Sequence, residues 1–458
     1  MFSTYDVSQH HGGIQEVIKH SKLQSFSAET TLSQKDMQNL MHRSTDEYRK
    51  RLNWTRTTLD DWKIKRLAIL VDWAFKTSTF YNELYRKSGY SPGEIRSLRD
   101  FECLPTITRN DLATSFRSIM SSRYEIGKCR LAGSSGSSGQ PVQMVLSQHR
   151  ANLDMLQKYR MMEFMMGKAL DSNRWIYNIH HAPWWHSSVL GRYRTFTVNQ
   201  DCHASHVVEH LKVLKPQVIS TLGSYMPALA HTASACDLNY VQLITTNSET
   251  TTQAERDQWE ARLNIPIRDE YSSEELDIIA MQCTNKNYHI VEDNVHLEQS
   301  RLDSYGLGEV IGTDLWNMAM PIIRYLQGDL IEPYSREHQC PCGCVFKTFK
   351  KIHGRMDQAL KTRSGDRIPP GSILDAIERY FYQMDAPLTE LRLVQTSTER
   401  IEVFHVTRAL CYVKKELFIS FQQHLSDLFG YAVIVIPKQV SSLPTALSFK
   451  RRTVICLC

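Results

Sequence analysis

Apolar side chains recur at helical spacing along the N-terminal part of the chain, with Trp62, Leu67, Leu70, Trp73, Ala74 and Tyr81 on one stripe and Ser88-Gly89 to Pro92-Gly93 closing it. This pattern predicts a helical segment over residues 1–105 that packs on the body of the chain. From about residue 128 the period changes. Short apolar runs at Pro141 to Leu146, Trp175 to Ile179, Val218 to Thr221 and Val241 to Thr245 alternate with helical stretches such as Gln253 to Leu263. Alternation of this kind predicts βα units around a largely parallel, buried sheet.

A smaller α/β unit follows, with a strand at Ile401 to Val406, a helix near Lys414 to Phe429 and a strand at Ala432 to Ile436. Between the two units, Gly354 to Pro370 is rich in charge, glycine and proline, the composition of an exposed connection able to act as a hinge. The expected division is a helical part over 1–105, a core over 106–353, a hinge over 354–361 and a small domain over 362–458.

Length agrees with that division, since 458 residues exceed the roughly 250–300 that one core serves. The apolar and charged contents, 42% and 22%, are those of a folded globular chain. The formal charge of +5 is spread out and not gathered in a basic arm, which argues against a nucleic-acid partner. No apolar run approaches the ~18 residues of a membrane span. The opening MFSTYDVSQHHGG lacks a charged start followed by an apolar core, so a cytoplasmic protein, monomeric or homodimeric, is expected. Eleven cysteines without an export signal then point to reduced thiols and a metal site before disulfides.

Ala132 to Val142 reads AGSSGSSGQPV. Its glycines let backbone approach a ligand closely, and Ser134, Ser135, Ser137 and Ser138 offer hydroxyls to phosphate oxygens; a flexible linker is the competing reading. The stretch lacks both the Lys-Ser/Thr ending of a Walker loop and the G-x-G-x-x-G of a dinucleotide fold.

The same stretch resembles the S-G-T-T-G-K-P loop of the adenylate-forming superfamily, in its phenylacetate-CoA ligase and capsular-biosynthesis branch. Tyr271-Ser272-Ser273-Glu274-Glu275 is similar to Y-G-x-T-E, Arg324-Tyr325 through Gly328-Asp329 to R-Y-x-x-G-D, and Gly354-Arg355-Met356-Asp357 to G-R-x-D. The resemblance covers about residues 75–455 and implies an α/β fold: a large N-terminal adenylate-forming domain with mixed and parallel sheets, and a small mobile C-terminal α/β domain.

It also implies ATP-dependent conversion of a carboxylic acid to its acyl-AMP, followed by transfer to CoA, a carrier-protein thiol or an amine. A non-catalytic nucleotide-binding homologue is the alternative. By the same resemblance, Ser134, Ser135, Gly136, Ser137, Ser138 and Gly139 would grip the ATP phosphates and Glu275 would hold Mg²⁺. Tyr271 would lie against adenine, Asp329 would accept the ribose hydroxyls, Arg355 would contact ribose and phosphate, and Asp357 would stand at the hinge. Ser448-Phe449-Lys450 matches the C-terminal S-G-K, making Lys450 the implied adenylation lysine. Four departures stand out: Ser272 for glycine, Glu274 for threonine, Gln140 for lysine and Phe449 for glycine.

Cys283 and His289, followed by Cys340-Pro341-Cys342-Gly343-Cys344, place soft ligands on separate loops, either as a metal set or as buried thiols. The resemblance implies a structural Zn²⁺ on Cys283, His289, Cys340 and Cys342, with Cys344 spare. The acid pocket is expected at His180-His181-Ala182-Pro183-Trp184-Trp185-His186, where His181, Trp184, Trp185 and His186 suit an aromatic or apolar acid; domain-interface packing is the other reading. Gly223-Ser224-Tyr225 and Asn247-Ser248-Glu249 are expected to flank the acyl and adenine pockets.

Overall fold

The computed structural model describes residues 3–4, 26–27, 47–133, 142–184, 186–187, 189, 191–300, 306–332, 340–384, 386–408, 410–443 and 453–458. The Ser134 to Gly139 loop, Trp185 and Lys450 lie outside the described residues, as does the side chain of Asp357.

Helix α1, Arg56–Thr77, starts where the Thr55 hydroxyl accepts the Thr58 backbone N–H, and α2, Thr79–Lys87, follows from a Ser78 cap. On α1 the buried stripe runs Leu59, Lys63, Leu67, Leu70, Val71 and Ala74. Lys63 keeps a place in that stripe because its ammonium meets the Glu292 carboxylate at 2.6 Å. Leu67, Leu70, Tyr81 and Tyr85 share one hydrophobic core with Tyr271, Leu276, Leu315 and Tyr325, so the N-terminal helices and the sheet region are packed as one body.

Strands β1, Arg130–Gly133, and β2, Gln143–Leu146, form a hairpin ahead of helix α3, Gln148–Met166. The central sheet is eight-stranded. Its parallel part is β3, Ile176–Ile179; β4, Thr195–Val198; β5, Val218–Leu222; β6, Leu243–Asn247; and β7, Ile267–Ser273. Strands β8, Asp277–Gln282, and β9, Tyr288–Ile290, extend it in antiparallel fashion.

Alternate residues of the parallel strands serve opposite faces. Ile176, Val218 and Leu243 pack with α3, whereas Tyr177, Ile219 and Ile244 pack with α4, Ala204–Leu214, α5, Met226–Thr232, and α6, Gln253–Leu263. A sheet covered on both faces can carry continuous apolar runs, as these strands do.

A second sheet holds β10, Val295–Gln299, β11, Gly308–Asp314, and β12, Tyr325–Ile331, all antiparallel. The edge strand of the eight-stranded sheet is β13, Thr348–Phe349, and β14, Ile352–Arg355, closes the second sheet beside β12. The chain crosses to a separate core after a turn at Met356–Gln358, for Leu360 is the first residue of a cluster that runs to Val454.

That small domain begins with the hairpin of β15, Leu360–Lys361, and β16, Arg367–Ile368. Helix α7, Pro370–Ile377, follows, and then β17, Leu388–Ser397, and β18, Arg400–Thr407. Helix α8, Lys415–Phe429, β19, Ile434–Gln439, and β20, Val454–Cys456, complete it. The mixed α/β fold matches expectation, and no described helix is long and apolar enough to cross a membrane.

Helix α3 carries two buried arginines that join these layers. Arg150 meets Asp314 of β11 at 2.7 Å, Asp277 of β8 at 3.4 Å and Asp154 one turn along α3. Arg160 grips both carboxylate oxygens of Asp293 at 2.7 Å. Removing one member leaves a buried charge uncompensated, so Arg150→Ala is expected to cost about 3–5 kcal/mol, read as a fall in the urea midpoint of the purified chain.

Candidate functional site

A cavity of about 690 Å³ opens at the carboxyl ends of the parallel strands, where ligands bind in open α/β sheets. Several segments wall it. Residues that follow β3 and β6 supply His180, His181, Ser248 and Glu249, while β7, β12 and β14 supply Tyr271, Gln327, Asp329 and Arg355; α7 and the turn after it supply Leu374, Asp375 and Glu378. Gly133, the last described residue before the serine-rich loop, is also in the wall.

Tyr325, Gln327 and Asp329 alternate along β12, which brings all three to the cavity face. Asp329 Oδ2 accepts the Tyr271 hydroxyl at 2.6 Å and the Gln327 amide at 2.6 Å, and Arg355 Nε stands 3.8 Å from Oδ1. Asp329 and Arg355 are direct register partners on β12 and β14. Burial pushes the Asp329 carboxyl above the usual carboxylate range, while Arg355 pulls it back. Burial and then the Asp329 charge raise the Tyr271 phenol well above its ordinary value, so it stays a proton donor. Gly328, at φ 87°, allows the backbone turn between Gln327 and Asp329, where any Cβ would be strained.

Glu275 follows β7 in the turn into β8, is 6% exposed, and meets Arg109 at 3.1 Å. Among the described residues Arg109 is the one cation paired with it, which orients one carboxylate oxygen and leaves the group suited to a divalent cation at the cavity. Glu274 lines the same wall.

The expected acid-pocket segment divides. His180 and His181 line the cavity with ring centroids 4.1 Å apart, and His180 Nε2 lies 3.4 Å from Ser248 Oγ. Trp184 and His186 are not in the wall. They stack on each other at 5.6 Å, with Lys158 of α3 over the Trp184 ring at 4.8 Å and the Tyr159 hydroxyl 3.4 Å from His186 Nδ1. That pair packs against α3, within the same core as the central sheet and not at a domain interface. Gly223, Ser224 and Tyr225 also stand behind the wall. A Cβ on Gly223 would collide with the Thr251 side chain, the Ser224 N–H donates to Glu249 Oε2 at 2.6 Å, and Tyr225 donates to the Cys202 carbonyl at 2.7 Å. Ser224 thereby holds Glu249 in place.

Several wall residues escaped the sequence reading. Gln327 was legible as the same-face neighbour of Asp329 on a strand of period two. Arg109 was not, since it comes from a distant segment with no motif. Lys351 of the connection pairs with Asp375 of α7 across the domain boundary, a contact that only the relative position of the two cores creates.

Apart from the cavity, the ligand atoms of Cys283, His289, Cys340 and Cys342 all fall within 4.8 Å of one another. Cys283 and Cys340 sulfurs are 3.6 Å apart, and Cys342 Sγ is 3.3 Å from His289 Nε2. A tetrahedral ion with ordinary zinc bond lengths would set these separations at about 3.8 and 3.5 Å. His289 Nδ1 lies 3.1 Å from the Phe346 carbonyl, a partner that fixes the tautomer with Nε2 towards the sulfurs. The donor set fits a closed metal site. Cys344 is buried beside it, its thiol pushed up to about 12 by burial.

No family model matches the chain. Protein CapK of Staphylococcus aureus is 24% identical over 350 residues, covering 72% of this chain and 74% of that protein. The 2-hydroxyisobutyryl-CoA ligase structure in its postadenylation state, with an acyl-AMP bound, superposes with a TM-score of 0.72 at 18% identity over 89% of this chain and 91% of its own. The same ligase in its thioesterification state gives 0.59. A benzoate CoA ligase from Burkholderia xenovorans LB400 gives 0.50 at 14% identity, covering 72% and 68%. The chain has the fold of the adenylate-forming ligases, and of the two ligase states it superposes better on the postadenylation arrangement.

Burial holds His186 neutral, its pKa pushed down to about 3, and His210 down to about 4. In the unfolded chain both titrate near 6.5. Below that pH the unfolded state binds protons that the folded state refuses, so stability is complete above about pH 6.5 and drains as pH falls towards the folded values. The urea midpoint is expected to drop between pH 7 and pH 5, with a flatter pH profile in His186→Gln.

Proposed function

We propose that this protein activates a carboxylic acid as its acyl-AMP. The substrate carboxylate oxygen attacks the α-phosphorus of ATP, a new P–O bond forms, the bond to the β-phosphate oxygen breaks, and pyrophosphate departs with the electron pair. The observation that carries this reading is the joint placement of Tyr271, Gln327, Asp329 and Arg355 on one wall, with Glu275 beside it, on a fold shared with adenylate-forming ligases.

Each side chain has a physical task. Asp329, oriented by two donors, presents carboxylate oxygen to a ribose diol, and Tyr271 offers its ring at the edge of the cavity to adenine. Arg355 supplies a rigid fork for ribose and phosphate oxygens. Glu275 would hold Mg²⁺, which when bound neutralises charge on the phosphates. The Ser134 to Gly139 loop and Lys450 would add phosphate donors and a cation, by their resemblance to the family motifs. The acyl-AMP then passes to a thiol, CoA before a carrier protein; an amine acceptor is the alternative. Cys283, His289, Cys340 and Cys342 would hold a structural Zn²⁺ that staples the loops around β9 and β13.

Exchange of labelled pyrophosphate into ATP tests the reaction across a panel of acids. One or more acids should support exchange, Glu275→Gln should lower it on the order of a hundredfold, and Asp329→Asn should raise the KM for ATP about tenfold. No exchange with any acid would refute the adenylation reading. Elemental analysis of the purified chain is expected to find stoichiometric zinc, absent from Cys340→Ser together with a lower melting temperature.

A further inference from the structure

The metal donor set and the cavity share one turn. Strands β8 and β9 form a hairpin in which Gln282 pairs with Tyr288, and the turn between them starts at Cys283, a member of the donor set, and ends at Asn287. Lys286, Asn287 and Tyr288 line the cavity. Within the turn the Cys283 N–H donates to the Asn287 carbonyl at 2.9 Å and the Lys286 N–H to the Cys283 carbonyl at 2.9 Å, so the donor residue and the wall residues move together.

Asn287 also joins the two by its side chain. Its amide N–H donates to Cys340 Sγ at 3.3 Å, across 53 residues of sequence. A donor aimed at sulfur favours the thiolate, the form in which cysteine ligates a metal. Gln282, fully buried beside Cys283, makes a second link. Its amide oxygen accepts the Asp269 N–H at 2.9 Å, and its amide nitrogen donates to Gln253 Oε1 at 2.9 Å and to the Lys286 carbonyl at 3.1 Å. Asp269, Gln253 and Lys286 are all wall residues, and Asp269 Oδ2 accepts the Tyr288 hydroxyl at 2.6 Å.

The contact on the outer side of the turn is weaker. Lys286 sits in the left-handed region at φ 63°, uncommon for a residue with a side chain, and its ion pair with Asp257 of α6 joins two partly exposed groups. Such pairs hold a loop poorly.

Resting on the reading that the cavity binds a nucleotide for adenylation, we propose that metal and nucleotide binding are coupled through Asn287, a positioning residue that ties the cavity wall to the metal donor set. With the metal bound, Cys283 and Cys340 are fixed to each other, and Asn287 and Tyr288 are in place before the nucleotide arrives. Without it, the nucleotide orders the wall as it binds and its affinity falls. Coupling is reciprocal, so the nucleotide tightens metal binding by the same factor.

Competition for Zn²⁺ with a chromophoric chelator, run on the metal-loaded full chain with and without saturating AMP, measures this coupling without any reaction. AMP is expected to raise the zinc affinity about fivefold or more. In Asn287→Leu, which keeps the side-chain volume and loses the donor, stoichiometric zinc and the parent melting temperature should remain while the AMP effect shrinks towards one; Asn287→Ala serves the same comparison if the leucine variant does not fold. Calorimetry with AMP separates the two readings. AMP binding with unchanged zinc affinity in the parent would overturn the coupling and leave the nucleotide site standing, as would an AMP effect that survives in the variant or a chain that binds AMP and no zinc. A parent chain that binds no AMP would overturn the adenylation reading and the coupling together.

Discussion

Arg150 and Arg160 are about three turns apart on α3, each 1% exposed, and each neutralises acids that arrive from other layers. Asp277 begins β8 of the central sheet, Asp314 ends β11 of the second sheet, and Asp293 lies in the connection between β9 and β10. A buried guanidinium requires partners at fixed positions, and a buried carboxylate requires a cation. The two sheets can therefore meet in only one relative placement. Lys63 and Arg56 of α1 repeat the arrangement with Glu292, which adds the N-terminal helices to the same body.

The candidate site depends on that placement. Tyr271 belongs to the central sheet and Asp329 to the second, yet their side chains are 2.6 Å apart. A small slip between sheets would break this bond and move Arg355 with its strand. The charge clamp acts on the cavity through rigid strands, Asp277 following Glu275 of the wall by two residues. Buried charge contributes little net stability, so its place here is better understood as fixing geometry than as adding free energy.

The connection between the domains works by a different balance. Gly354, at φ 83°, and Gly371 let β14 and the start of α7 approach so closely that a Cβ on Gly371 would collide with the His353 ring. Burial lowers the Lys351 pKa, and its pairing with Asp375 holds α7 over the cavity mouth. Few apolar groups cross this boundary, for the cluster beginning at Leu360 is separate from the others.

The chain's periodicities determined a good deal by themselves. The apolar runs at Trp175, Val218 and Val241 became β3, β5 and β6 within two residues, and α6 spans Gln253–Leu263 as the helical pattern indicates, because local period and buried faces coincide there. The antiparallel sheet of β10 to β12 was not legible, since its polar members, Glu298, Gln327 and Asp329, mask the alternation. Motif order marked Tyr271, Glu275, Asp329 and Arg355 as one set, and the family resemblance, not the cysteine spacing alone, implied the donor set of Cys283, His289, Cys340 and Cys342. Only tertiary structure decided that Trp184 and His186 pack away from the cavity, that Arg109 reaches Glu275, and that Glu249 is aimed by Ser224. Those facts depend on distances between segments that no local propensity encodes.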